Sequence, residues 1–129
     1  MKEKMVFAIV TLGLLLLLST CGGLQKPVSV EGRQNVVHMS ASDFKFEPNN
    51  ISTRVGDTIT FRIENTSGSM HNFTLVDPEG NTMQGIDILP KQSVDVTATF
   101  SKAGTYKFHC NKTGHSQLGM KGQVVALED

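Results

Sequence analysis

The strongest constraint on the fold of this chain is a side-chain alternation with a period of two residues. From Thr58 to Glu64 every second residue is apolar, and the same pattern returns from Val94 to Phe100. Successive side chains of a β-strand point to opposite faces, so the alternation predicts strands that bury one face and expose the other. Beyond residue 34 no segment shows the 3.6-residue apolar stripe of an amphipathic helix. We therefore expect an all-β domain.

Further segments are rich in β-forming residues and are separated by turn residues such as Pro78, Gly80 and Gly104. These segments are 36–39, 44–46, 51–55, 72–76, 105–110 and 123–127. Residues 83–93 are less regular and are predicted to form a loop or a short edge strand. Many short strands joined by turns are typical of an antiparallel sandwich or barrel.

Composition narrows the class of protein. The chain has 129 residues, which suits a single domain, and its 12 basic and 12 acidic residues give no net charge. A domain without net positive charge is poorly suited to binding the phosphate backbone of a nucleic acid, so no nucleic-acid partner is expected. The two cysteines cannot form a disulfide-rich scaffold.

Residues 1–20 are predicted to be an export signal rather than part of the domain. Lys2 and Lys4 precede an apolar run from Val6 to Leu18, which is shorter than the roughly 20 residues that a membrane-spanning helix needs. The residues from Leu18 to Gly23 resemble the bacterial lipoprotein signal box, in which the cysteine, here Cys21, becomes the lipid-modified first residue. The alternative is an ordinary export signal or an uncleaved anchor with an incidental cysteine.

Residues 21–34 carry glycine, proline and charge without an apolar period, which predicts a flexible tether after the lipidated Cys21. The globular domain is expected to begin near Asn35 and to extend to residue 129. The predicted location is extracytoplasmic, on the periplasmic or cell-surface face of the membrane, with the lipid as the anchor.

The second cysteine, Cys110, would then be a lone thiol in a compartment that oxidises thiols. It could be a small buried hydrophobe, because it shares strand parity with Tyr106 and Phe108. However, Cys110, His115 and Met120 form a C-x4-H-x4-M motif in a glycine-containing loop. Thiolate, imidazole and thioether are the ligands that copper selects, and a blue-copper centre combines two histidines, a cysteine and a weak axial methionine.

The second histidine of such a centre must come from elsewhere in the chain. His71, at the start of a predicted strand, is the best candidate. His109 is disfavoured because neighbouring strand residues point to opposite faces, so it should face away from a metal that Cys110 faces. His38 lies in the first predicted strand and is expected to be a surface or satisfied core residue.

The segment from Tyr106 to Cys110, followed by His115, Met120, Gly122 and Val124, resembles the ligand-bearing end of the cupredoxin superfamily, which includes plastocyanin and azurin. The pair His71–Asn72 is similar to the upstream ligand and its neighbour, and the ligand spacing is most similar to the rusticyanin and auracyanin branches. This resemblance implies a Greek-key β-sandwich or barrel of about eight strands. It also implies one copper ion per chain, with His71, Cys110, His115 and Met120 as ligands.

The resemblance assigns supporting roles as well. The backbone N–H of Asn72 is expected to donate to the Cys110 sulfur, and the Asn72 side chain to tie the two ligand loops together. The carbonyl of Met70 could approach the copper axially. Electrons are expected to pass through His115, amid apolar residues for which Met70, Leu118 and Gly119 are the candidates; alternatively, Leu118 merely packs the loop.

The predicted function is one-electron transfer by a monomeric, mononuclear blue-copper protein that cycles between Cu(II) and Cu(I). The expected partners are redox proteins such as cytochromes or membrane electron-transfer complexes. No enzyme is predicted, because the sequence has no recognisable Ser/His/Asp arrangement, paired-cysteine zinc motif or second histidine cluster. The alternative is a copper-binding delivery or storage protein without redox turnover, but no methionine-rich run typical of copper traffic appears.

Overall fold

The computed structural model describes residues 23–30 and 34–129. The predicted signal segment and Cys21 lie outside this range. The described residues form ten strands and no helix, and hence contain no helix of the length and apolarity needed to cross a bilayer. The strands are β1 (Val28–Ser29), β2 (Gln34–Ser42), β3 (Lys45–Glu47), β4 (Asn50–Arg54), β5 (Thr58–Asn65), β6 (His71–Val76), β7 (Thr82–Ile88), β8 (Ser93–Thr99), β9 (Gly104–His109) and β10 (Lys121–Leu127).

The strands form two sheets, which confirms the predicted all-β sandwich. The larger sheet has the order β1-β4-β10-β9-β6-β7, and the smaller one has the order β3-β2-β5-β8. The two strongest alternating segments, β5 and β8, pair antiparallel in the smaller sheet. Their apolar residues lie on one face and are buried, including Ile59, Phe61, Val96 and Ala98.

The pairing is mixed rather than purely antiparallel, which corrects the sequence prediction. Strand β2 pairs parallel with β5, and β4 pairs parallel with both β10 and β1. An alternating pattern reports which face of a strand is buried, but it carries no information about the direction of the neighbouring strand. Residues 83–93, predicted to be a loop or an edge strand, contain most of β7, which lies at the edge of the larger sheet.

Ordered structure begins before Asn35. Val28 and Ser29 pair with Ile51 and Ser52 of β4. The segment is further held by the side chain of Asn50, whose amide donates to the carbonyl of Gln25 at 2.8 Å. Part of the segment predicted to be a flexible tether therefore lies against the sheet, through hydrogen bonds that leave no apolar period in the sequence.

An aromatic cluster fills the core between the sheets. Phe73 of β6 lies 5.3 Å from Phe61 and 5.2 Å from Phe108 between ring centroids, and Phe46 packs edge-on against both Phe73 and Phe108. All four rings are buried. Strands β6 and β9 are therefore locked side by side, which fixes the relative position of the residues at their ends.

Candidate metal centre

The two strands at the centre of the site bring His71 and Cys110 together. His71 is the first residue of β6, and Cys110 directly follows the last residue of β9. These strands pair antiparallel, with Thr74 opposite His109, so the start of β6 and the end of β9 lie at the same end of the sandwich. Both His71 and Cys110 are completely buried there.

The loop between β9 and β10 carries the other two candidate ligands, His115 and Met120. Its backbone is closed at the base, because the N–H of Cys110 donates to the carbonyl of Met120 at 3.0 Å. The N–H of Met120 in turn donates to the carbonyl of His115 at 3.0 Å. Gly119, between them, has a φ of 112°, a conformation that favours glycine. The loop is thus held by its own backbone.

Three side-chain donor atoms converge at this end of the sandwich. Nδ1 of His71 lies 3.3 Å from Nδ1 of His115, and Nδ1 of His115 lies 3.5 Å from Sγ of Cys110. One ligand atom from each of these three residues lies within 4.8 Å of the others. His109 and His38 are not members of this cluster, and their placement outside it agrees with the sequence analysis.

The orientation of His71 is set by Ser67. The Ser67 hydroxyl lies 2.8 Å from Nε2 of His71, and it donates to Oδ1 of Asn65 at 3.0 Å. Because the hydroxyl proton is engaged by Asn65, the Ser67 oxygen is free to accept the proton on Nε2. This tautomer leaves the lone pair of Nδ1 directed at His115 and Cys110.

Burial lowers the pKa of His71 from its ordinary value, and the neighbouring His115 lowers it further, whereas Asp43 opposes the shift. The imidazole is therefore held in its neutral form, which is the form that binds a metal ion.

The backbone N–H of Asn72 donates to Sγ of Cys110 at 3.3 Å, as the family resemblance implied. The side chain of Asn72 makes a different contact from the one expected. Its amide donates to Oδ1 of Asp87 on β7 at 2.9 Å, instead of reaching the other ligand loop itself. The neighbouring strand β7, which the sequence left irregular, supplies this partner.

Phe44 is a residue of the site that the sequence analysis missed. Its ring packs edge-on against the ring of His115, with centroids 5.3 Å apart and an interplanar angle of 89°. Phe44 is 41% exposed and has a φ of 63°, which is rare for a residue with a side chain. The Asp43-Phe44 pair between β2 and β3 gave no motif by which this contact could be recognised.

The remaining predicted site residues occupy distinct positions. Met120 is completely buried, whereas Met70 and Leu118 are 42% and 63% exposed. Ligation by Met120 and an axial approach of the Met70 carbonyl stay predictions. The lipidation site Cys21 lies outside the described residues.

The sequence model of one protein family, the cupredoxin-like domain, matches residues 8–126 of this chain. The chain belongs to the cupredoxin family. The predicted membership of the cupredoxin superfamily is thereby confirmed.

The cupredoxin is similar to three kinds of curated protein. It is 30% identical over 122 residues to a multicopper oxidase of Staphylococcus aureus, covering 78% of this chain and 27% of the oxidase. It is 36% identical over 90 residues to the chloroplastic plastocyanin of Hordeum vulgare, covering 62% of this chain and 53% of that protein. A copper-resistant cuproprotein, CopI of Pseudomonas aeruginosa, is 24% identical over 145 residues, covering 78% of this chain and 80% of CopI. The chain thus spans about half or less of the first two relatives.

A solved structure shows the same fold. The reduced auracyanin of Roseiflexus castenholzii superposes with a TM-score of 0.64 at 20% sequence identity. The match covers 76% of this chain and 99% of the auracyanin.

The donor set fits copper. Two imidazole Nδ1 atoms and one thiol sulfur face one another, and the sulfur already accepts a backbone N–H that would stabilise its thiolate. A completely buried thioether residue, Met120, is bonded through its backbone to both Cys110 and His115. Nitrogen, thiolate and thioether donors in this combination select copper over harder cations. Copper is the cofactor of this cupredoxin.

Proposed function

We propose that the chain is an extracytoplasmic, membrane-tethered, mononuclear blue-copper protein that carries one electron between redox partners. The observation that supports this best is the convergence of the donor atoms of His71, Cys110 and His115, within 4.8 Å of one another. His71, Cys110, His115 and Met120 would hold the copper, which would supply one-electron chemistry between Cu(II) and Cu(I).

The residues of the chain are suited to holding such a centre without rearrangement. His71 is fixed by Ser67, Cys110 by the N–H of Asn72, and the loop by its own backbone hydrogen bonds. Groups that are already held in place need little movement when the charge of a site changes, and a small rearrangement favours fast electron transfer.

The environment of His115 supports a docking face for redox partners. His115 is half-buried and its ring contacts the exposed Phe44. Phe44, Met70 and Leu118 are all large, exposed apolar residues. Met70 directly precedes His71 and Leu118 lies in the loop that carries His115. We propose that electrons pass through the His115 ring and that cytochromes or membrane electron-transfer complexes approach this apolar surface.

We propose further that the protein is a monomer and acts as a carrier and not as an enzyme. Similarity to the multicopper oxidase extends over only 27% of that protein, so it supports a shared copper-binding domain. A second candidate function is copper delivery or storage, which the similarity to CopI favours.

The first experiment compares the copper-loaded protein with the Cys110→Ser variant. A thiolate bound to Cu(II) gives an intense visible absorption with narrow copper hyperfine splitting, so the wild type should show both and Cys110→Ser neither. The matched control is His109→Gln, one residue away but outside the donor cluster, which should keep the absorption. Survival of the band in Cys110→Ser would overturn the site.

The second experiment separates the two functions. The loaded protein is reduced and reoxidised repeatedly in the presence of a Cu(I) chelator. A carrier should retain copper and its visible band through every cycle, whereas a delivery protein should release copper to the chelator on reduction. Membrane tethering is tested by Cys21→Ser, which should move the protein from the membrane fraction to the soluble fraction and lack the lipid mass expected at position 21 of the wild type.

A further inference from the structure

Asn72 connects the Cys110 sulfur to its own strand and to β7 through three hydrogen bonds. It is only 5% exposed, and each of its side-chain polar atoms has a partner. Its oxygen accepts the Thr74 hydroxyl proton at 2.5 Å, and its amide nitrogen donates to Oδ1 of Asp87 at 2.9 Å. Its backbone N–H donates to Cys110. The side-chain contacts of Asn72, together with the pairing of β6 and β7, therefore hold the peptide whose N–H meets the Cys110 sulfur.

Asp87 also contacts the ligand loop. The Nζ atom of Lys112 lies 2.9 Å from the same oxygen of Asp87 that accepts the Asn72 amide proton. Lys112 belongs to the loop between Cys110 and His115, and its carbonyl accepts the N–H of His115 at 3.1 Å. One carboxylate oxygen thus lies between the residue that donates to the Cys110 sulfur and the loop that carries His115.

We infer that Asp87 is a positioning residue of the copper centre, which fixes the Asn72 peptide against Cys110 and the ligand loop against β6 through one shared oxygen. The inference concerns the same site as the proposed electron carrier, but it rests on contacts within the chain. Without Asp87 the buried Asn72 amide would lose its acceptor, and a buried donor without a partner favours rotation of the side chain.

Two variants that change the charge in opposite directions can distinguish a positioning role from a purely electrostatic one. Asp87→Ala removes a negative charge and Lys112→Gln removes a positive one, so a purely electrostatic effect on the thiolate would have opposite signs in the two. Positioning instead predicts a shift of the sulfur-to-copper absorption band in the same direction in both variants. Lys112→Arg, which keeps the charge and the donor, should restore the wild-type band.

The second readout needs no copper. Hydrogen exchange of the Asn72 backbone amide in the copper-free protein should be about two- to fivefold faster in both variants, in keeping with the modest strength of exposed ion pairs. The double variant should exchange no faster than the faster single variant, because both changes break one network.

The matched control is Asp95→Asn, which breaks the cross-strand pair with Arg62 in the other sheet. It should leave both the band and the Asn72 exchange unchanged. Wild-type exchange of the Asn72 amide in either variant, or band shifts of opposite sign, would overturn the positioning role. A failure of this kind leaves copper retention through redox cycles untouched, so the two proposals fail separately.

Discussion

The Ser67 hydroxyl lies 2.8 Å from Nε2 of His71, while the other ring nitrogen, Nδ1, faces His115. Because this contact sets the tautomer and the ring orientation, Ser67→Ala should weaken copper binding. Partners of this kind usually contribute about tenfold to a hundredfold in metal affinity. Competition titration against a copper chelator measures the change.

Ser69→Ala is the matched control for this prediction. Ser69 is exposed, and it contributes backbone atoms to the same turn, because its N–H donates to the Ser67 oxygen at 3.1 Å. The control should bind copper as tightly as the wild type. Equal affinity in Ser67→Ala and Ser69→Ala would show that the hydroxyl does not orient His71.

The sequence revealed the donor residues of this site more readily than the groups that hold them. Cys110, His115 and His71 were identifiable because few side chains provide soft metal ligands, and because strand parity separates Cys110 from His109. Ser67 and Asp87 were not identifiable, since a serine in a polar turn and an aspartate in an irregular segment are ordinary surface residues in a sequence. Only the pairing of β6 with β7 places Asp87 opposite Asn72.

Some features of the fold could likewise be predicted from the sequence, and others could not. The alternation in β5 and β8 predicted which residues are buried, and Ile59, Phe61 and Phe100 are completely buried. It could not predict that β2 pairs parallel with β5, or that Val28 and Ser29 join the larger sheet. Strand direction and short edge pairings depend on backbone hydrogen bonds between distant segments, which leave little trace in local composition.

Gly122 is required where β10 passes close to β9. A Cβ atom at this position would collide with the carbonyl oxygen of Asn49 and with the ring of Phe108, which lies in the aromatic core. Gly122→Ala should therefore lower the free energy of unfolding by about 1–3 kcal/mol, the usual cost of overpacking a core. Chemical denaturation of the copper-free protein measures this difference.

Gly85→Ala provides the comparison, since a Cβ atom at Gly85 meets no atom within 4 Å and this residue also lies in a strand. It should leave the free energy of unfolding close to that of the wild type. An equally small effect of Gly122→Ala would mean that Phe108 and β10 move apart easily.

Stability should depend on pH through Asp87. Hydrogen bonds from Lys112, and then from Asn72, lower the pKa of the Asp87 carboxyl below its ordinary value. A carboxylate whose pKa is lowered by folding stabilises the native state above its unfolded pKa, which is about 4, and this contribution is lost as the pH falls through the lower folded pKa.

The difference in unfolding free energy between the wild type and Asp87→Asn should therefore be constant from pH 7 to about pH 5 and shrink below about pH 4. Chemical denaturation of the copper-free proteins across this pH range measures the difference. The difference between the wild type and Asp95→Asn is measured at the same pH values for comparison. A difference that grows as the pH falls would contradict the assigned direction of the shift.

Met120 provides the last prediction, because its proposed role as a weak axial ligand differs from that of a core residue. It is completely buried, and its backbone bonds to both Cys110 and His115 place it at the copper end of the core. In Met120→Gln, an amide oxygen replaces the thioether. Oxygen is a harder donor that favours Cu(II), so the reduction potential should fall while His71, Cys110 and His115 retain the metal.

Voltammetry of the loaded variants measures the potential, and the control is Met83→Gln. Met83 is a half-buried methionine of β7 that packs against the core. Met83→Gln therefore makes the same substitution at a methionine outside the cluster of His71, Cys110 and His115. It should keep the wild-type potential even where it lowers stability. If Met120→Gln also kept the wild-type potential, Met120 would be a packing residue and the fourth ligand would have to come from another group, such as the carbonyl of Met70.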